Sequence, residues 1–303
     1  MSRALAAAAA MGVLVGAAIV ASRFVLAEVP PLTLAMLRYA IGFACLAPFA
    51  WPAWRAHRES FPAPSTRDLL AMAVLGIAQF GVLIALMNWG LATVNAANAA
   101  LIFSLFPLIT LLFGAALGRE RISARLAAGL VISIGGVALS LAPKLATRDP
   151  RAWWGELAVF ASACIGAACS VLYRPYLQRY PTVPVSAFAM LASVLFLAFA
   201  AIGEDWPRRV ATLGIETWGV VAFIGLSSGV GYFCLLYALK HESPTRVTMF
   251  LALNPATAAL LGWWALGETV HASLLAGLVM IFAGLWLAGE RRPLTGNRQP
   301  ALR

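Results

Sequence analysis

The chain has 303 residues, of which 62% are hydrophobic and 11% charged, with a formal net charge of +10. A water-soluble domain keeps about a quarter of its residues charged, so no single aqueous core could hide this apolar excess. The 22 basic residues come singly or in pairs between apolar runs, which argues against the continuous basic face that nucleic acid requires.

Ten apolar runs follow one another, at 4–27, 32–54, 68–91, 94–118, 124–143, 154–177, 183–203, 213–239, 247–267 and 271–289. Most reach about 20 residues, the length an α-helix needs to cross a hydrocarbon layer about 30 Å thick. They lack the two-residue alternation of barrel strands, so membrane helices are predicted. The first run, MSRALAAAAAMGVLVGAAIVAS, has one arginine ahead of an alanine-rich stretch, as a signal peptide would. Its length and the nine runs behind it make it the first span instead. The joins 28–31, 92–93 and 268–270 are short enough to make hairpins. Cys45, Cys164, Cys169 and Cys234 all fall within apolar runs and read as small packing residues.

The stretch LNPATAALLGWWALGETV at 253–270 is echoed by LFPLITLLFGAALGRERI at 105–122. One shift of 148 residues pairs Pro107 with Pro255, Glu120 with Glu268, Gly129 with Gly277 and Gly136 with Gly284. The predicted organisation is therefore a first five-helix unit at 1–143, a polar linker at 144–153, a second unit at 154–290 and a tail at 291–303. Five crossings return the chain to the opposite side, so the second unit is expected upside down, with a site near the midplane between the repeats. With the N-terminus inside, 15 Lys and Arg fall on inner segments and five on outer ones. This bias places both termini in the cytoplasm, and the location is a cell (inner) membrane.

These marks, a helix with a central proline and a terminal glutamate followed by a glycine-spaced helix, occur in both halves. The chain thereby resembles the EamA-type unit of the drug/metabolite transporter superfamily. The resemblance implies a ten-helix bundle that exports small metabolites, often amino acids, by alternating access, and it is similar in particular to bacterial amino-acid exporters. One departure is Val15-Gly16, where the family usually carries Trp-Gly in the first helix.

The residues themselves supply candidates. Gln79 and Asn254 lie near mid-span, and an amide in hydrocarbon needs a polar partner, so both are expected to face a cavity. Asn98 and Ser228 are further polar candidates, and Trp89 and Tyr232 could supply flat walls for a side chain. Pro107 and Pro255 each free a carbonyl four residues back, at Phe103 and Leu251, and are candidate hinges. Arg38, two turns into the second run, either snorkels to headgroups or faces the interior, where it would attract a carboxylate or tune a gate. Glu120 and Glu268 are expected to cap the helix that follows each of them.

All twelve acidic residues and all three histidines lie at or near run ends, so no proton relay is evident. Nor is there the nucleophile–base pair or metal cluster that an intramembrane enzyme needs. The expectation is a monomeric, cofactor-free transporter in the lipid bilayer, moving amino acids or related small molecules, with passive export open. The alternative is a proton-coupled exporter of drugs or other small metabolites.

Overall fold

In the computed structural model the described residues are 3–60, 64–117, 124–142, 153–241, 250 and 253–289, and among them there is helix and no strand. The helices are α1 (Arg3–Val25), α2 (Pro31–Ser60), α3 (Thr66–Leu91), α4 (Ala96–Ala116), α5 (Ala124–Leu141), α6 (Trp154–Arg179), α7 (Thr182–Ala200), α8 (Ile215–His241), α9 (Leu253–Leu266) and α10 (Ala272–Gly289). A short helix, Trp206–Thr212, lies between α7 and α8. Seven of them, α1–α4 and α6–α8, are long and apolar enough to cross a membrane, and α5 and α10 are shorter apolar helices. Glu120, most of the 144–153 linker, the 291–303 tail and the start of the ninth run lie outside the described residues.

Local chemistry sets several helix ends. Pro31 opens α2, where its missing N–H removes a donor that would have had no helical partner. The Ser65 hydroxyl accepts from the Asp68 amide at 3.1 Å and caps α3. Gly267 follows α9 with φ +64°, a left-handed turn that glycine makes without strain, and this turn carries Glu268 back over the helix end.

Two of the helices are irregular inside the bundle. Residues Ile77–Val82 of α3 form a π-helical turn, with the Leu83 amide bonding five residues back to the Ala78 carbonyl. In α4 the α-helical ladder stops at Phe103 and resumes at Phe106, leaving Ser104 and Leu105 as a break with Pro107 in the next turn. The proline has no N–H to donate, so the ladder cannot continue through it.

Small residues let the helices approach closely. A Cβ built on Gly136 would lie 2.8 Å from the Gly277 carbonyl, and one on Gly284 would lie 2.5 Å from that of Gly129. Sequence number rises along one helix as it falls along the other, so α5 and α10 pack antiparallel. Gly16 meets the Asn254 backbone, and Gly225 and Gly229 meet Ile41 and Cys45, so these glycines seat α1 on α9 and α8 on α2. Among the described residues the nine most extensive pairings are α1 with α8 and α9, α2 with α7 and α8, α3 with α6 and α7, α4 with α6 and α9, and α5 with α10, and lesser contacts such as α2 with α3 fall outside this set. Exchanging each helix for the one five places along maps this set onto itself.

The main core lies among α2, α3, α6, α7 and α8, where Leu34, Met72, Met190, Leu197 and Ile224 are fully buried. The outer surface is apolar too: Val131, Phe199, Ile215 and Trp264 are more than two-thirds exposed. An outward face of this kind belongs in lipid.

Polar contacts tie the halves together at each end of the bundle. At one end, Glu204 accepts from the amides of Leu32 (3.1 Å) and Thr33 (2.8 Å) and from the Thr33 hydroxyl (2.8 Å), capping α2. At the same end Thr217 donates to Glu28, and the Glu268 carboxylate accepts from the Ala96 amide. Glu268 therefore caps α4 of the other half, correcting the expectation that it caps the helix after it; the Asn95 side chain leaves that position open. Arg23 donates to the Leu91 carbonyl and lies 3.8 Å from Glu268. At the opposite end Tyr180 donates to Asp68 at 2.7 Å, with Arg179 at 4.0 Å from the same carboxylate.

Candidate functional site

Between the halves lies a cavity of about 220 Å³, walled by α1–α4 on one side and by α7, α8 and α9 on the other. Pockets for drug-sized ligands run from about 300 Å³ upward, so this space suits a small metabolite. Both irregular helices contribute to it. The π turn of α3 presents Gln79 and Phe80, and the break in α4 presents Phe103, Ser104, Phe106 and Pro107. A π turn adds one residue to a helical turn and re-aims the side chains it carries, a device common at functional sites.

The wall is mainly apolar, with polar groups at separate points. Tyr39 and Phe80 pack with ring centroids 5.0 Å apart, and Phe80 meets Tyr232 edge-on at 5.9 Å. Phe103 and Phe106 stand 5.5 Å apart across the α4 break. The Tyr232 and Ser186 hydroxyls share a hydrogen bond of 2.9 Å, which fixes the phenol at the wall. Arg38 is only 8% exposed; its Nε donates to the Ser228 hydroxyl at 2.7 Å, and that hydroxyl donates to the Ile224 carbonyl at 2.7 Å. The amide oxygens of Gln79 and Asn254 are buried and have no hydrogen-bond partner among the described residues. Buried amide oxygens are normally satisfied, so two at one cavity are acceptors left for something that enters.

Gln79, Ser228, Tyr232, Asn254, Arg38 and Pro107 therefore all stand at this cavity. Arg38 faces inward and does not snorkel. Trp89 stands elsewhere: it is 52% exposed near the end of α3, ten residues past Gln79, on a surface turned away from the bundle. The expected aromatic wall is supplied by Tyr39, Phe80 and Tyr232 in its place. Asn98 is outside the cavity wall, on the first turn of α4, with its own amide oxygen buried and unpartnered. Pro255 is buried in the first turn of α9, beside Asn254, and Leu251, whose carbonyl it was expected to free, is outside the described residues. Tyr39, Phe80, Phe103 and Phe106 were missed as wall residues. An aromatic in an apolar run carries no mark of its inward face, and only the polar neighbours Arg38, Gln79 and Ser104 hinted at it.

An apolar-coated helical bundle with a small, sparsely polar cavity between two similar halves is the architecture of a multi-pass membrane transporter. The chain belongs to the EamA-like transporter family, which matches residues 2–142 and again 153–289. It is 28% identical over 240 residues to a probable terminal-alkyne amino-acid exporter of Streptantibioticus cattleyicolor, covering 78% of each chain. It is 24% identical to an uncharacterized transporter of Archaeoglobus fulgidus, covering 91% of this chain and 95% of the relative. Protein PagO of Salmonella typhimurium is 26% identical, with 91% and 90% covered. A solved crystal structure shares the fold with TM-score 0.65 and 20% identity, covering 95% of this chain and 97% of the other. The family and its members are transporters, and the chain is a transporter and not an enzyme.

Proposed function

We propose that the protein exports amino acids or related small metabolites through this cavity by alternating access, with ten helices crossing the membrane as two inverted five-helix repeats. The observation that carries the reading is the cavity itself, which sits between the halves and offers unpaired amide oxygens from each of them, Gln79 from α3 and Asn254 from α9. Its scale and its mixed apolar and polar wall suit an amino acid with an apolar side chain. The name of the Streptantibioticus relative points to the same class of cargo.

The inverted arrangement is supported by the glycine contacts between α5 and α10. Gly136–Gly277 becomes Gly284–Gly129 when each residue is exchanged for its equivalent in the other repeat. Related copies that pack antiparallel on each other have opposite senses, as an axis in the membrane plane requires. The distribution of Lys and Arg favours cytoplasmic termini in a cell (inner) membrane, which puts the Glu268 end outside. Pro107 and Pro255 then act as paired hinges, since the ladder of α4 is already interrupted beside Pro107.

Purified protein in liposomes, supplied in turn with labelled amino acids, tests the cargo. Saturable flux of apolar or aromatic amino acids is expected, and absence of flux for every amino acid would remove the assignment.

A further inference from the structure

Arg38 is a buried cation for which no carboxylate partner exists among the described residues. Their ion pairs join carboxylates to Arg23, Arg179 and Arg208. Among the described residues walling the cavity there is no Asp or Glu. What Arg38 does contact is the Ser228 hydroxyl, through Nε at 2.7 Å, and Tyr39, by a side-chain hydrogen bond and with the ring centroid 5.8 Å from the guanidinium carbon. A charge is costly to bury without a counter-ion, and neutral hydroxyls and a ring face compensate it only in part.

The bond to Ser228 also decides which donors remain. A guanidinium has five N–H groups in a planar fork, and Nε accounts for one. With Nε held by a side chain of the other half and the Tyr39 hydroxyl also bonded to the guanidinium, the N–H groups that remain are left to meet an anion such as a carboxylate. The complementary pole is also present, because the oxygens of Gln79 and Asn254 are buried acceptors without donors.

We propose that Arg38 is the carboxylate anchor of the transport site, oriented by Ser228, with the Gln79 and Asn254 oxygens receiving the donor group of the same molecule. The substrate class is then an organic carboxylate with an apolar body, and a zwitterionic amino acid satisfies both poles. This assignment rests on the cavity being the transport site. It replaces a gating role for Arg38 with direct contact to cargo.

Three compounds that differ only at the poles test it: L-phenylalanine, 3-phenylpropionate, which lacks the ammonium group, and phenethylamine, which lacks the carboxylate. Their dissociation constants are measured on purified full-length protein. Wild-type protein should bind both carboxylates at least about tenfold more tightly than phenethylamine, the scale of one charge-assisted hydrogen bond. Arg38→Gln should erase that preference by weakening the two carboxylates while leaving phenethylamine unchanged. Ser228→Ala, which keeps the charge and frees its orientation, should lose part of it. The wild-type comparison decides the matter even where Arg38→Gln fails to fold. Phenethylamine binding as tightly as the carboxylates, the preference surviving in Arg38→Gln, or no binding of any of the three would overturn the anchor. Carboxylate binding through Arg38 in a protein whose liposomes move no amino acid would keep the anchor and discard the cargo.

Discussion

The Glu268 carboxylate lies 3.0 and 3.1 Å from the Ala96 amide nitrogen, so a residue at the end of α9 caps the first turn of α4 in the other half. The first-turn amides of a helix have no partner inside it, and a carboxylate there also meets the positive end of the helix dipole. Arg23 of α1 stands 3.8 Å from the same carboxylate, which joins three helices at one point. A contact of this kind can hold an end of the bundle shut, because rocking the halves apart must break it.

Replacing Glu268 by Ala should therefore loosen that end. Loss of a cap costs about 0.5–2 kcal/mol, which shifts a two-state equilibrium by roughly twofold to thirtyfold. A cysteine placed at Ala18, in the cavity wall, within a background lacking Cys45, Cys164, Cys169 and Cys234, reports the shift. A membrane-impermeant thiol reagent added at the Glu268 end should label it faster in the variant by that factor. An unchanged rate would show that the contact plays no part in closure.

Glu204 should matter more to stability than to accessibility. It accepts from two backbone amides and one hydroxyl at the start of α2, and its removal strands donors in a partly buried place. Hydrogen bonds to a charged group are worth about 1.5–3 kcal/mol each, part of which water recovers at this end. Glu204→Ala should lower the unfolding midpoint of the detergent-solubilised protein by several degrees, and Glu204→Gln should lower it less. Equal midpoints for all three would mean that water caps α2 as well as the carboxylate does.

The contrast between two glycines tests the helix seam. A Cβ on Gly136 would strike the Gly277 carbonyl, whereas one on Gly219 would meet nothing within 4 Å. Gly136→Leu should therefore force α5 off α10 and destabilise by about 1–3 kcal/mol, as overpacking does. Gly219→Ala should be neutral or stabilising by about 0.5–1 kcal/mol, since alanine has less chain entropy to lose in a helix. Thermal unfolding of both variants beside wild type measures the difference, and a tolerant Gly136→Leu protein would rule out a close seam.

Much of this was legible in the sequence, for identifiable reasons. Span positions follow from the lengths of the apolar runs, and the shift of 148 residues exposes the duplication because Pro, Glu and Gly recur at matching places. Gln79 and Asn254 stood out because an amide in an apolar run is conspicuous. Trp89 and Phe80 could not be ranked in the same way. Both are aromatic residues of one run, and which of them faces inward depends on helices far away in the chain. The π turn at Ile77–Val82 adds to this, since it re-aims α3 while the local sequence IAQFGV carries no mark of it. The partner of Glu268 was hidden for another reason: its acceptor role depends on a backbone amide 172 residues away, which no local pattern encodes.

Gln79 and Trp89, both on α3, give a paired test of the cavity. Gln79→Ala removes an acceptor at the cavity wall and should raise the half-saturation concentration for flux about threefold to tenfold, the worth of one hydrogen bond. Trp89→Ala changes a residue turned outward and should leave that concentration as it is. A larger effect from Trp89 than from Gln79 would place the pathway elsewhere.

Energy coupling is open to the same kind of test. The ionisable groups of the described cavity wall are Arg38 and the phenols of Tyr39 and Tyr232, with no Asp, Glu or His beside them. Proton-driven transporters rely on buried carboxylates or histidines that load and release a proton within the physiological range, and neither a guanidinium nor an ordinary phenol does so. Glu28, Glu204 and Glu268 are engaged with helix ends and a hydroxyl at one face of the bundle, away from the wall. A zwitterionic amino acid carries no net charge, so neither a pH gradient nor a membrane potential should drive it through this site. Flux in liposomes should therefore run down the substrate gradient at the same rate with the pH gradient imposed, reversed or collapsed by a protonophore. Flux that appears only with an imposed gradient would mean that a carboxylate away from the wall, with Glu268 the first to mutate, takes up a proton during the cycle.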